Sequence, residues 1–175
     1  MNWNTRWFFR VNKLVGTNLW LDAFGRAGAE WVVVAMVFWY VVSAWIGYAP
    51  DTHSASWAIL FFGTAWALGW LLDVGIGVVV REPRPHVRYP ESKLLFRPLM
   101  SWKSFPSDHA MTAWLIFFLA LMFHLPFSWS LLPLALWVSW GRVYVGAHYP
   151  FDIVGGLAVA GFVAVLAWQL LLTLG

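Results

Sequence analysis

The sequence predicts an all-α polytopic membrane bundle of five transmembrane helices, or six if the N-terminal segment also spans, preceded by an N-terminal amphipathic helix. Three observations predict it. Of 175 residues, 61% are hydrophobic and only 11% charged, with a mean hydropathy of +0.68, whereas soluble domains carry about a quarter charged residues. The apolar residues gather into uncharged runs of roughly membrane-spanning length. The fifteen Trp suit a bilayer interface, where indole is favoured, although some of them serve ordinary core packing.

Residues 1–29 read as an interfacial segment. Trp3, Trp7, Phe8, Val11, Leu14 and Val15 recur at helical spacing, while Arg6, Arg10 and Lys13 fall on the other face. That is the pattern of a helix lying in the headgroup plane. No long apolar stretch follows the basic residues, so a cleavable signal peptide is not expected. The expected spans are 31–47, 55–72 (continuing past Asp73 to Val80), 110–125, 127–145 and 153–175. About 20 apolar residues cross the hydrocarbon core, so the first and third runs need their flanks. Helices are expected because lipid leaves backbone groups no other partner, and no ten-residue barrel alternation occurs. With no repeat or linker, 1–175 reads as a single membrane domain, its helix bundle at 30–175.

The chain has no cysteine, which excludes disulfides, thiolate chemistry and cysteine metal sites. Its formal charge of +3 is unevenly placed: nine charged residues lie between Arg81 and Asp108. Polar groups at a bilayer edge are costly and call for a reason, and three clusters stand out. The first is Arg81-Glu82-Pro83-Arg84-Pro85-His86. Prolines on both sides of Arg84 end the helix and restrict the backbone, and a guanidinium suits bidentate phosphate binding. Taken alone, it is equally a basic turn touching headgroups.

The second cluster is Ser104-Phe105-Pro106-Ser107-Asp108-His109. Ser107 and Asp108 are natural N-caps, yet a helix start also offers free N–H groups to an anion, and His109 would stand in the first turn beside it. The third runs from Arg142 to Asp152, with His148 and Asp152 four residues apart. On a helical turn that spacing puts both on one face. A carboxylate on one imidazole nitrogen would leave the other free to attack. A lone His at a membrane edge is more simply an interfacial residue, as His53 and His124 are expected to be. With five antiparallel spans the loops at 81–109 and 142–152 fall on the same side, so the three clusters can converge.

These clusters resemble the signature of the type 2 phosphatidic acid phosphatase superfamily: Lys-x6-Arg-Pro, then Pro-Ser-Gly-His, then Ser-Arg-x5-His-x3-Asp. Arg84-Pro85, Pro106-Ser107-x-His109 and Arg142-x5-His148-x3-Asp152 match in order. Three positions depart. Gly77 stands where the pattern has Lys, with Arg81 a candidate substitute one turn later; Gly141 replaces Ser; Asp108 replaces Gly. The wording Phe-Pro-Ser-Asp-His-Ala and the segment from Val11 to Ala23 are most similar to the bacitracin-resistance-type undecaprenyl diphosphate phosphatases.

The resemblance implies a metal-independent, cofactor-free phosphoric-ester or anhydride hydrolase acting on undecaprenyl diphosphate in carrier-lipid recycling. His148 would be the nucleophile, oriented by Asp152, with His109 as acid and base. Arg84, Arg142, Ser107 and Arg81 would bind the substrate phosphate. Arg81, Lys93, Arg97 and Lys103 could hold a second phosphate, or simply contact headgroups. Alternatives are a phosphatidylglycerophosphate or phosphatidate phosphatase, a lipid A phosphatase or phosphotransferase, or a non-catalytic lipid-binding or transport protein with the same fold. The expected partners are the lipid phosphate and the bilayer, with no nucleic acid; oligomeric state is not set. Placement is expected in a bacterial inner membrane. All eleven Lys and Arg would fall on the site's side, which by the positive-inside rule is cytoplasmic; the resemblance implies the outer face.

Overall fold

The computed structural model describes residues 2–96 and 102–174. All regular structure among these residues is helical: α1 (Trp3–Asn12), α2 (Leu19–Glu30), α3 (Val32–Gly47), α4 (Thr52–Val80), α5 (Pro85–Arg88), α6 (Asp108–Met122), α7 (Leu131–Tyr144) and α8 (Pro150–Leu174), with a 3-10 turn at Ser128–Ser130 before α7. The five expected apolar runs fall on α3, α4, α6, α7 and α8. Thr52–Arg88 and Pro150–Thr173 are long and apolar enough to cross a bilayer, while Asp108–Met122 is a shorter apolar helix.

Burial divides these helices by role. α6 hides Ala110, Met111, Ala113, Leu115, Ile116, Phe117, Leu119 and Ala120, so it is apolar and enclosed nearly all round, as a central helix must be. α4 and α8 wrap it and leave Leu60, Leu71, Val79, Phe162, Val165 and Leu172 outward, where acyl chains would meet them. Small residues let the backbones close. An added Cβ on Gly156 of α8 would come within 2.6 Å of the Ser107 carbonyl, and one on Gly69 of α4 within 2.8 Å of Met111 Sδ. Close approach over glycine is the usual means of helix association where lipid removes a hydrophobic drive.

The N-terminal segment carries the expected amphipathic helix. α1 forms, but its inward face is Asn4, Thr5, Phe8 and Asn12, and Trp3 and Trp7 point outward. The Asn12 amide donates to the Lys93 and Tyr144 carbonyls and accepts from the Lys93 N–H at 2.8 Å, while Asn4 Oδ1 accepts the Phe151 N–H at 3.0 Å. The helix therefore docks on the bundle through buried amides. α2 follows and meets α3 at a 49° bend, the two together forming a broken span or a re-entrant element. It packs on α7, where a Cβ on Gly141 would stand 2.7 Å from the Ala29 nitrogen. The departure from Ser at 141 follows: α2 occupies the space a side chain would need.

Candidate active site

The α7–α8 corner is built by glycine, proline and one carboxylate. α7 ends at Tyr144, and Gly146, at φ +84°, turns the chain back so that the Ala147 and His148 N–H groups both reach the Arg142 carbonyl at 3.2 Å. Such a glycine C-cap satisfies the last helical carbonyls. A Cβ there would also collide with the Lys93 carbonyl. Pro150 opens α8, as suits a first-turn position with no N–H to bond, and Asp152 Oδ2 accepts the Tyr149 N–H at 2.8 Å. Asp152 is thus the third helical residue bonding back to the residue before the helix, one half of a capping box.

This corner aims His148 inward, where it is 1% exposed. Its Nδ1 lies 2.9 Å from the Ser104 carbonyl and 3.3 Å from Asp152 Oδ2. Two acceptors at Nδ1 assign the proton there. Nε2 then carries the lone pair, and it faces Arg84 Nη1 at 3.1 Å and Arg142 Nη2 at 3.4 Å. Each guanidinium is anchored by a distant carbonyl, Arg84 by Ala147 at 2.9 Å and Arg142 by Ala29 at 3.0 Å. Burial, and the charges of Arg84 and Arg142, push His148 well below the ordinary imidazole range. The imidazole is neutral at pH 7, as a nucleophile requires.

Ser107 stands at the N-terminus of α6 without acting as its cap: its side chain makes no capping bond, and its buried hydroxyl has no partner among the described residues. An unsatisfied buried hydroxyl is costly, and here it lies beside free helix N–H groups that favour an anion. His109 occupies the first turn of α6 and borders a cleft of about 140 Å3 lined by Val33, Val34, Val37 and Thr112. Its ring lies close enough to feel the charges of Arg84 and Arg142. The structure thus gathers His148, Asp152, Arg84 and Arg142 by direct contact, with Ser107 and His109 on the adjoining α6 turn.

Arg81 is not gathered with them. It caps α4 in the left-handed region at φ 51°, is exposed, and turns its Nε to the Val78 carbonyl at 2.8 Å. A helix end with prolines close behind sends its side chain back along its own helix. Lys93 is likewise used elsewhere, its ammonium donating to the Lys13 and Val15 carbonyls, which ties the loop to α1. Arg97 lies outside the described residues. His53 and His124 are exposed at the other end of the bundle. Sequence reading missed Ser104, whose carbonyl takes the His148 proton and whose hydroxyl donates to Asp152 Oδ2. The carbonyl leaves no signal in residue type, and the hydroxyl's only hint is its place at the head of the second cluster. Among the described residues no group of His, Cys, Asp or Glu is arranged to hold a metal.

The PAP2 superfamily profile matches residues 58–175. The chain is 33% identical over 162 residues to undecaprenyl-diphosphatase BcrC of Bacillus subtilis, covering 93% of this chain and 81% of that protein. It is 28% identical over 114 residues to a lipid A 1-phosphatase of Rhizobium etli, covering 63% of this chain and 49% of that one. The crystal structure of Aquifex aeolicus LpxE superimposes with a TM-score of 0.71 at 19% identity, covering 97% and 96% of the two chains. The chain belongs to the PAP2 superfamily, and it is a membrane lipid phosphatase.

Proposed function

We propose that this PAP2 phosphatase hydrolyses undecaprenyl diphosphate to undecaprenyl phosphate and inorganic phosphate through a phosphohistidine at His148. The observation that carries the chemistry is the split of the imidazole: Nδ1 is held by Ser104 and Asp152, and the Nε2 lone pair points between two guanidiniums. In the first step Nε2 forms a bond to the terminal phosphorus, and the bond to the bridging oxygen breaks. The diphosphate's negative charge offsets the burial and the guanidiniums that disfavour the His109 imidazolium, and His109 gives that oxygen its proton. In the second step His109 takes a proton from water, whose oxygen attacks phosphorus as the N–P bond breaks. Arg84, Arg142, the Ser107 hydroxyl and the α6 N–H groups hold the equatorial oxygens and stabilise the charge that spreads over them. The ring charge formed on phosphorylation is balanced at Nδ1 by Asp152 and the Ser104 carbonyl. A metal chelator leaves this chemistry running.

The long match to undecaprenyl-diphosphatase BcrC supports the substrate, and the shorter match to a lipid A 1-phosphatase supports a lipid A reading next. Phosphate release from undecaprenyl diphosphate, lipid A, phosphatidylglycerophosphate and phosphatidate, measured side by side, tests the choice. A preference for any lipid but the first overturns it. Acid-labile, alkali-stable phosphate on the wild-type chain after rapid quench, absent in His148→Ala, tests the intermediate.

We place the site on the outer face of the inner membrane. Arg84, Lys103 and Arg142 are buried and Lys93 is bound to carbonyls, so these cations serve the fold and the site and carry little topological weight. A cysteine at exposed Glu91 labels in intact cells if this is right; labelling only after lysis reverses the assignment.

A further inference from the structure

The loop before α6 carries a lysine with no ordinary reason to be buried. Lys103 is 0% exposed, and its ammonium donates to Asp108 Oδ1 at 2.6 Å and to the Pro106 carbonyl at 3.3 Å. A buried ammonium needs a paired charge, and Asp108 supplies one. Yet Asp108 is itself out of place. It sits in the first turn of α6, next to Ser107, and its charge acts on both Arg84 and Arg142. An uncompensated carboxylate there would repel the anion that the arginines and the helix N-terminus attract. Asp73 of α4, wholly buried one helical turn from Gly77, lies close enough for the charges of Asp108 and Lys103 to act on it. Lys103 is the cation paired directly with Asp108.

How the lysine reaches that place is a second, independent observation. Its aliphatic stem crosses α4 over Gly77: a Cβ on Gly77 would stand 2.4 Å from Lys103 Cδ and 3.4 Å from its Cβ. The glycine is the opening through which the stem runs. Residue 77 is also the position where the superfamily's first motif carries a lysine. The side-chain space at 77 is filled by the stem of Lys103.

We propose that Lys103, threaded over Gly77, supplies the phosphate-site cation from the α6 side, compensating Asp108 and completing the charge of the cradle formed by Arg84, Arg142 and Ser107. This rests on the phosphatase reading of the site. Gly77 and Asp108, two of the three departures from the signature, then have one cause; Gly141 has another, the closeness of α2.

Inorganic phosphate is the probe, its affinity read from the thermal shift of the full-length protein in detergent. Lys103→Gln keeps a donor for Asp108 and removes the charge, and it weakens phosphate binding about tenfold. The relocation variant Gly77→Lys with Lys103→Ala returns the cation to the motif position through the opening the stem has left. Phosphate affinity within threefold of the wild type follows. Wild-type-like binding in Lys103→Gln overturns the proposal, as does a folded relocation variant that binds no better than Lys103→Gln. If neither variant folds, position 103 serves the fold alone and the proposal is lost. A wild-type protein that binds no phosphate sinks the phosphatase reading of the cradle instead, which keeps the two failures distinct.

Discussion

At one end of the bundle, charged side chains are buried and reach across the chain; at the other the charged and histidine side chains stay exposed, and Asp51 serves its own helix. Arg84 bonds to Ala147, 63 residues away, Arg142 to Ala29, 113 away, and His148 to Ser104, 44 away. At the opposite end Asp51 caps α4 through the His53 and Ser54 N–H groups, and His53 and His124 lie exposed. Both ends interrupt apolar helices with prolines and polar residues, so composition does not separate them. Convergence does. A buried charge is tolerated only where other groups answer it, and Arg84 before α5, Ser104 before α6, Arg142 of α7 and Asp152 of α8 answer one another at the site end.

Substitutions on either side of the divide can break the comparison. His148→Ala removes the proposed nucleophile and lowers phosphate release at least ~10^4-fold, with a monodisperse detergent-solubilised protein retained; near-normal turnover would dissolve the distinction between the ends. Arg84→Ala removes a donor from the charge developing on phosphorus, at a cost of about 10^2–10^3 in kcat, read in steady-state assays on the best lipid of the panel.

Proton linkage marks the site end as well. His148, in the corner between α7 and α8, is held neutral because burial and the guanidiniums push its protonation below the ordinary value near 6.5. Below that value the unfolded chain binds a proton at His148 that the native state refuses. Stability contributed by this group is therefore full above pH 6.5 and lost as pH falls, by up to about 1.4 kcal/mol per unit. Thermal unfolding of wild type and His148→Ala between pH 7.5 and 5 reads the difference; identical slopes would refute it. The smallest effect belongs to the other end. Asp51→Ala loses a cap and lowers the unfolding midpoint slightly, and leaves kcat unchanged; reduced turnover would mean that the two ends are coupled.

Much of this was legible in the sequence for local reasons. The helices at 32–47, 52–80, 108–122, 131–144 and 150–174 follow the uncharged runs, because apolar length and proline breaks act within a few residues. The interval from Arg142 to Asp152 was readable because one turn carries it. α1 was expected as an amphipathic helix, yet its inward face contains Asn4 and Asn12, since the partner surface offers carbonyls and an N–H there. Arg81 looked right by helical spacing and is turned away by a left-handed cap.

The sequence by itself determined the class of solvent, the helical runs and which residues gather at the candidate site, because hydropathy and motif spacing are short-range properties written along the chain. Only the tertiary structure decided that the Ser104 carbonyl takes the His148 proton, that Ser107 leaves its capping role, that α2 fills the space beside Gly141, and that Lys103 occupies the space at Gly77. Each of these depends on groups distant in sequence meeting in a buried place, where an unpaired donor, charge or void is too costly to leave.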